Sequence, residues 1–162
     1  SDTSNRIKSI ALIHQKLYKG NTDMVSLGFK KYVQELSDTL LFSYNMQHKV
    51  HVDLDIDEFE ISFDKAVIFG LLITELMTNS LKHAFIGRSN NVIEIHIKQD
   101  AAMVTLIVKD NGIGLPQDFN DKYDSFGIDM IRSFVKNLKG ELQFIRDEGT
   151  KVEVKMHHLL KV

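Results

Sequence analysis

The chain has 162 residues, 43% of them apolar and 26% charged, with 20 Lys and Arg against 22 Asp and Glu for a formal net charge of -2. This is the size of one globular domain with a short appendage, and a chain this long buries roughly 68 to 70% of the surface its unfolded form exposes. It has no cysteine, which excludes disulfide frameworks, thiolate zinc sites and cysteine nucleophiles and fits a reducing compartment; the near balance of charge argues against a dedicated nucleic-acid or anionic-membrane surface.

Residues 4–18 (SNRIKSIALIHQKLY) place Ile7, Ile10, Ala11, His14, Leu17 and Tyr18 on one helical stripe, which Gly20 ends. A second amphipathic helix is predicted from about Ser26, as its cap, through Phe29, Tyr32, Val33, Leu36 and Leu40 to about Asn45, so the first boundary falls near residues 19–25. From Lys49 the period changes to two. Val50, Val52, Leu54 and Ile56 alternate with His51, Asp53, Asp55 and Asp57, a strand with a solvated acidic face. Asp64 is expected to cap a long helix running to about Phe85. Its apolar stretch, Ala66 to Met77, is 12 residues, short of the ~20 that span a bilayer, and reads as buried.

Two strands follow, near 92–98 and 102–109, with Ile93, Ile95, Ile97 and Val104, Leu106, Val108 facing inward. After a loop over 110–124 come a helix over 125–139, ended by Gly140, and a hairpin of 141–146 with 150–157. Clustered antiparallel strands with helices on one face predict a two-layer α+β sandwich rather than a doubly wound parallel sheet.

Chemistry is concentrated in four places. Glu75, Asn79 and Lys82 stand at i, i+4 and i+7 of the apolar helix, within about 60° of one another at 100° per residue. Unpaired, such groups are costly to bury. Either Glu75 pairs with Lys82 through Asn79, or the stripe faces a charged ligand, with the Asn79 oxygen suited to Mg²⁺ and Lys82 to phosphate. The second place is DNGIGLP, Asp110 to Pro116. Asp110 continues the inward row of its strand and could accept from a buried donor such as an exocyclic amine, or could simply cap its own turn. Gly112 and Gly114 allow a sharp turn and close backbone approach. Third, a mobile-looking QDFNDKYD leads into Ser125, Phe126 and Gly127 at a helix start, a place that favours an anion, although Ser125 also suits an ordinary cap. Fourth, Gly149-Thr150 opens a strand whose inward row is Thr150, Val152, Val154 and Met156.

In this order and spacing, over about residues 50–157, the segments resemble the GHKL superfamily of ATP-binding domains, which share the Bergerat fold: a two-layer α/β sandwich with a mixed, mostly antiparallel sheet, here preceded by one extra N-terminal helix. ELMTNSLKHAF is similar to its N-box, DNGIGLP to its first glycine box, SFGIDMI to its second and GTKVEV to its closing strand. NSLKHAF, the short lid from Pro116 to Ser125 and the leading RIKSIALIHQKLY resemble the sensor histidine kinase subclass, whose dimerisation hairpin precedes the catalytic domain. The resemblance implies a division at residues 1–20, a remnant of the dimerisation domain, and 21–162, the catalytic ATP-binding domain.

The resemblance further implies that Asn79 is a Mg²⁺ ligand and that Glu75 polarises the attacking nucleophile or acts as its general base. Asp110 would bind the adenine amino group with support from Thr150, and Lys82 and His83 would approach the phosphates. Gly112, Gly114 and Gly127 would hinge and floor the lid, with Ser125 and Phe126 beside them. Ser125 stands where many members have glycine, and the lid has no phenylalanine-rich box. The phosphoacceptor histidine would lie upstream, so the chain reads as a fragment, with His14 a packing residue. His48, His51, His96, His157 and His158 show no metal-ligand spacing. The implied activity is transfer of the ATP γ-phosphoryl group to a histidine for relay to a response-regulator aspartate in the cytoplasm. The implied partners are the kinase's own dimerisation domain, a receiver domain and a second copy in a homodimer, with no nucleic-acid or membrane contact by this segment. An ATPase acting as a conformational clamp and a non-catalytic nucleotide-sensing module are the alternatives.

Overall fold

The computed structural model describes residues 2–17, 24–25 and 29–157. The expected Gly20 stop, the Ser26 cap, Tyr18 and His158 lie outside the described residues, as do the side chains of His14 and Leu17. In chain order the elements are α1 (Asp2–Leu17), β1 (Met24–Val25), α2 (Phe29–Ser43), β2 (Val50–Ile56), β3 (Ile61–Ser62) and α3 (Phe63–Asn79). A π-helical turn (Ser80–Ala84) extends α3, followed by β4 (Asn91–Asp100), β5 (Met103–Asp110), α4 (Phe126–Asn137), β6 (Gly140–Arg146) and β7 (Thr150–His157).

Five strands form one mixed sheet in the order β2-β4-β5-β7-β6. The β2–β4 pair is parallel and the other three pairs are antiparallel, as the two-layer α+β reading requires. The alternation follows the sequence period: Ile93, Ile95, Ile97, Leu106 and Val154 are fully buried on the helix-facing side, each worth roughly 1.5 to 3 kcal/mol of apolar burial. Over that face lie α2, α3 and α4, and the Phe29 ring contacts Phe59 and Phe69, each at 5.5 Å between centroids, to join α2 to α3. A two-residue ladder of β1 with β3 stands apart from the main sheet. No helix among the described residues is long and apolar enough to cross a membrane.

One local expectation needs correction. The cap of α3 is Ser62, whose hydroxyl accepts from the Lys65 amide at 3.4 Å, while Asp64 sits in the first turn. Both residue types stabilise a helix start, the one by hydrogen bond and the other by charge against the dipole. The acidic face of β2 is exposed, as expected, and carries ion pairs. Lys98 pairs with Asp55 and with Asp57 at 3.3 Å, and Asp57 also accepts from the Gln99 amide at 3.0 Å.

Helix α1 turns part of its apolar stripe toward solvent. Ile7 is 63% and Ile10 37% exposed, whereas Asn5 is buried at 7%. Amphipathic spacing identifies a helix and its apolar face, but not the element that face meets. Here α1 packs on α3 and α2, with Arg6 meeting Glu75 and Leu12 against the core.

Candidate functional site

Helices α3 and α4, the ends of β5 and β7, and the segment following β5 enclose a cleft of about 680 Å³. Its lining includes Asn79, His83, Asp110, Gly114, Ser125 and Thr150, all singled out by sequence. Apolar walls come from Leu76, Ile113, Leu115, Ile128 and Phe144, none of which a polar motif search would select. A mostly apolar cleft with a few convergent polar groups suits a flat heterocycle with a polar edge.

Asp110 is the buried carboxylate of the cleft lining. It ends β5 opposite Ile93 on β4 and Thr150 on β7, and it is only 4% exposed. Its Oδ1 accepts from the Gly112 amide at 2.9 Å and the Thr150 amide at 3.2 Å, and its Oδ2 accepts from the Ser80 hydroxyl at 2.8 Å. The turn-capping bond and the inward orientation therefore coexist. A carboxylate has about four acceptor sites, so three protein donors leave capacity for one more. Ser80 was not identified from sequence; its signal is its place directly after Asn79, where a small hydroxyl is buried.

The backbone explains why this carboxylate is so tightly held. A β-carbon on Gly112 would lie 2.4 Å from both the β-carbon and the carbonyl oxygen of Ala84, and the Ile113 amide donates to that oxygen at 2.9 Å. Gly149, at φ +133°, brings its backbone to where a β-carbon would be 2.1 Å from the Asp110 carbonyl oxygen. The π-helical turn, the glycine loop and the start of β7 are thus in backbone contact around Asp110, an approach open only to glycine.

The polar stripe of α3 does not stay in line. Asn79 lies at the cleft, but the turn from Ser80 to Ala84 is π-helical, and an i→i+5 turn shifts the phase of everything after it. His83 lines the cleft, while Lys82 is exposed and outside its lining. Glu75 is not a cleft-lining residue either. Its carboxylate is 4% exposed and is gripped by Arg6, whose Nε donates to Oε1 and whose Nη2 donates to Oε2 at 3.1 Å. A β-carbon on Gly127 would stand 3.4 Å from the Asn79 Oδ1 and 3.7 Å from the Glu75 Oε2, so the first turn of α4 covers both side chains. Gly112 is buried beneath the cleft, and Phe126 projects outward at 71% exposure.

Over the cleft, the segment expected to be mobile is tied at both ends. Arg146 on β6 donates to the carbonyls of Leu115 and Pro116, and Arg132 on α4 donates to those of Tyr123 at 2.9 Å and Asp121 at 3.0 Å. Phe119 packs between Tyr123 at 5.0 Å, tilted, and Phe144 at 4.9 Å, edge to face. Neither arginine lies in a recognisable motif, because a side chain that anchors carbonyls needs no fixed spacing from them. Ser125 caps α4, accepting from the Ile128 amide at 3.3 Å, and also borders the cleft.

Among the described residues no cluster of three or more His, Cys, Asp or Glu could hold a metal. A Mg²⁺ ion needs no such cluster, since it commonly takes one or two protein oxygens and completes its shell with phosphate and water. Asn79, which lines the cleft, carries a side-chain oxygen of that kind.

Comparison with known proteins shows the family and the fold. Residues 64–159, more than half the chain, match the family described as histidine kinase-, DNA gyrase B-, and HSP90-like ATPases, and residues 1–44 match a histidine kinase family. The chain belongs to the histidine kinase-, DNA gyrase B- and HSP90-like ATPase family, and its similarities are to the sensor histidine kinases within it. It is 29% identical over 164 residues to the sensor histidine kinase PdtaS of Mycobacterium tuberculosis, covering 96% of this chain and 32% of that protein. It is 24% identical to blue-light-activated histidine kinase 2 of Erythrobacter litoralis, covering 93% of this chain and 45% of the relative. The chain therefore spans about a third to under half the length of these relatives. The histidine kinase domain of the Erythrobacter litoralis EL346 blue-light-activated kinase has the same fold, with a TM-score of 0.85 at 22% identity over 97% of this chain and 75% of that one.

Proposed function

We propose that the cleft binds Mg²⁺-ATP and that, within a longer protein, this chain transfers the γ-phosphoryl group to a histidine, from which it passes to a response-regulator aspartate. The observation that carries the reading is Asp110, buried at the cleft with both oxygens fixed by protein donors and acceptor capacity remaining. A fixed acceptor at that depth suits the exocyclic amine of adenine and leaves the carbonyl of guanine facing a carboxylate, so it selects between the purines. Thr150 borders the same place.

Asn79 would hold Mg²⁺ through its side-chain oxygen, and the ion supplies neutralisation of charge on the phosphates. His83 and the capped first turn of α4 at Ser125 flank the cleft, and free amides at a helix start favour phosphate. Lys82 is exposed and outside the cleft lining, so in this reading it would meet only a phosphate tail that extends beyond the cleft. Phosphoryl transfer asks little covalent chemistry of the protein, so orientation and charge placement supply most of the rate. Glu75 then has the role of polarising the incoming nucleophile. Gly114 and Gly127 flank the lid and Phe126 its outer end. Residues 1–20 belong in this reading to the dimerisation region and 21–162 to the catalytic domain, with a second copy and a receiver domain as partners and the cytoplasm as the location.

Thermal unfolding with and without Mg²⁺-ATP tests the reading. Nucleotide at about 100 times its dissociation constant adds roughly 2.7 kcal/mol, or about 5 to 10 °C for this size. The parent chain gains that shift and Asp110→Asn loses it. A phosphohistidine-bearing acceptor segment, recognised by its acid lability, is the product expected with the parent and not with Asn79→Ala; no thermal shift for a folded parent overturns the assignment.

A further inference from the structure

The face that α1 turns toward the protein carries a cation. Arg6 is the link between three elements: its guanidinium holds both oxygens of Glu75 on α3, and its central carbon lies 5.2 Å from the ring centroid of Phe126, the first residue of α4. The side chains of Arg6 and Glu75 are 17% and 4% exposed. A two-point, charge-assisted pair in so little water is among the stronger polar contacts available to a protein. The stacking adds a further attraction between the cation and the face of the ring.

This arrangement has a chemical consequence for Glu75. To polarise a nucleophile, a carboxylate must offer a lone pair to the nucleophile's proton, and it must be able to take that proton. Here both oxygens already accept from the guanidinium fork and the pair lies outside the cleft lining, so neither oxygen is presented to a nucleophile in the cleft. The same fork is supplied from a helix that leads into the domain rather than from the domain's own sheet or lid.

We propose that Arg6 is a positioning residue that governs access to Glu75: with α1 docked as seen, the carboxylate is withheld from the cleft, and transfer requires the guanidinium to let go. This rests on the reading of Glu75 given above as the group that polarises the nucleophile. The docking of α1, in addition to nucleotide occupancy, then sets when the phosphoryl group moves. Phe126 extends the latch to the first turn of α4, next to Ser125 at the cleft, so a change at the lid's outer end is felt by α1 and the reverse.

The test begins with hydrogen exchange over residues 2–17 in the 162-residue chain, for the parent, Arg6→Gln, Glu75→Gln and the double variant. Each single change is expected to speed exchange of α1 by about tenfold, and the double change by no more than either alone, because one contact is being removed twice. Exchange in Arg6→Gln within about twofold of the parent, or effects that multiply in the double variant, overturns the latch. In parallel, transfer from Mg²⁺-ATP to a supplied acceptor segment is expected to rise in Arg6→Gln at equal nucleotide occupancy, to rise less in Arg6→Lys, which keeps the charge without the fork, and to be lost in Glu75→Gln with or without Arg6. Transfer in Arg6→Gln as low as in Glu75→Gln would mean that Arg6 serves the reaction rather than restraining it, and overturns the proposal. Arg6→Lys keeps the measurement available if Arg6→Gln does not fold. A parent chain that binds no Mg²⁺-ATP defeats the function proposed for the cleft, whereas a chain that binds nucleotide but exchanges α1 independently of Arg6 defeats only the latch.

Discussion

The hydroxyl of Ser80 donates to Oδ2 of Asp110 at 2.8 Å, joining the first residue of the π-helical turn to the last residue of β5 inside the cleft. Both partners are buried, at 6% and 4% exposure. Removing the hydroxyl leaves a carboxylate oxygen short of a donor. Ser80→Ala is expected to cost about 1.5 to 3 kcal/mol of stability, the range for a hydrogen bond to a charged group, and to reduce the nucleotide-induced thermal shift without abolishing it. Ser80→Thr restores the donor and most of the loss. Urea unfolding and thermal shift on the same samples check this; parent-like behaviour of Ser80→Ala in both would show that Asp110 is held without Ser80.

Gly112→Ala places a methyl group on the Ala84 backbone and side chain, each 2.4 Å away. Overpacking of this kind costs about 1 to 3 kcal/mol, and the displacement falls on the Ile113 to Ala84 hydrogen bond that closes the loop onto the π-helical turn. Adding Ala84→Gly removes the methyl contact but not the carbonyl, so the double variant recovers only part of the stability. Full recovery, measured by denaturant midpoint, would show that the backbone approach is unimportant.

Tyr32 is fully buried in α2, and its hydroxyl has no hydrogen-bond partner among the described residues. Burial also drives its ionisation well above the ordinary phenol range. A buried donor without a partner is a liability, so Tyr32→Phe is expected to match the parent or exceed it by about 1 kcal/mol, worth roughly 2 to 4 °C. A midpoint lowered by more than that amount would reveal a partner for the hydroxyl.

Much of this architecture can be read from residue order alone, because period-two rows such as Ile93, Ile95, Ile97 and Val104, Leu106, Val108 leave one register that buries them. Asp110 was locatable for the same reason: parity carries the inward row to the end of the strand. Other features have no such periodic signature. The π-helical turn at Ser80 to Ala84 ends where the glycine loop docks on Ala84, a contact between positions 28 residues apart in sequence, and it moves Lys82 off the line that α-helical geometry draws through Glu75 and Asn79. The partner of Glu75 lies 69 residues away, and no local rule connects Arg6 with it.

The acidic edge of the sheet makes a pH prediction. The hydrogen bond from the Gln99 amide, with the bond and charge of Lys98, holds the Asp57 carboxyl below its ordinary value of 3.8 despite some opposing loss of hydration. A carboxyl whose folded value is depressed stabilises the protein at pH above its unfolded value, and that contribution disappears as pH falls through the folded one. Asp57→Asn is therefore expected to melt below the parent at pH 5 to 7 and to converge with it as the pH drops below about 3. A gap in melting temperature that stays constant across this range would refute the linkage.

Arg146 and Arg132 fix the two ends of the segment over the cleft through main-chain carbonyls, at 115 and 116 on one side and 121 and 123 on the other. The chain between those clamps is a closed loop whose ends no longer depend on what it contains. Each doubling of such a loop costs only about 0.6 kcal/mol in closure entropy. The length of the cover can therefore change while the frame around Asp110 stays the same, provided Phe119 keeps its place between Tyr123 and Phe144, which makes this short span the natural place to graft a longer closing element, or a reporter dye, without rebuilding the domain beneath it.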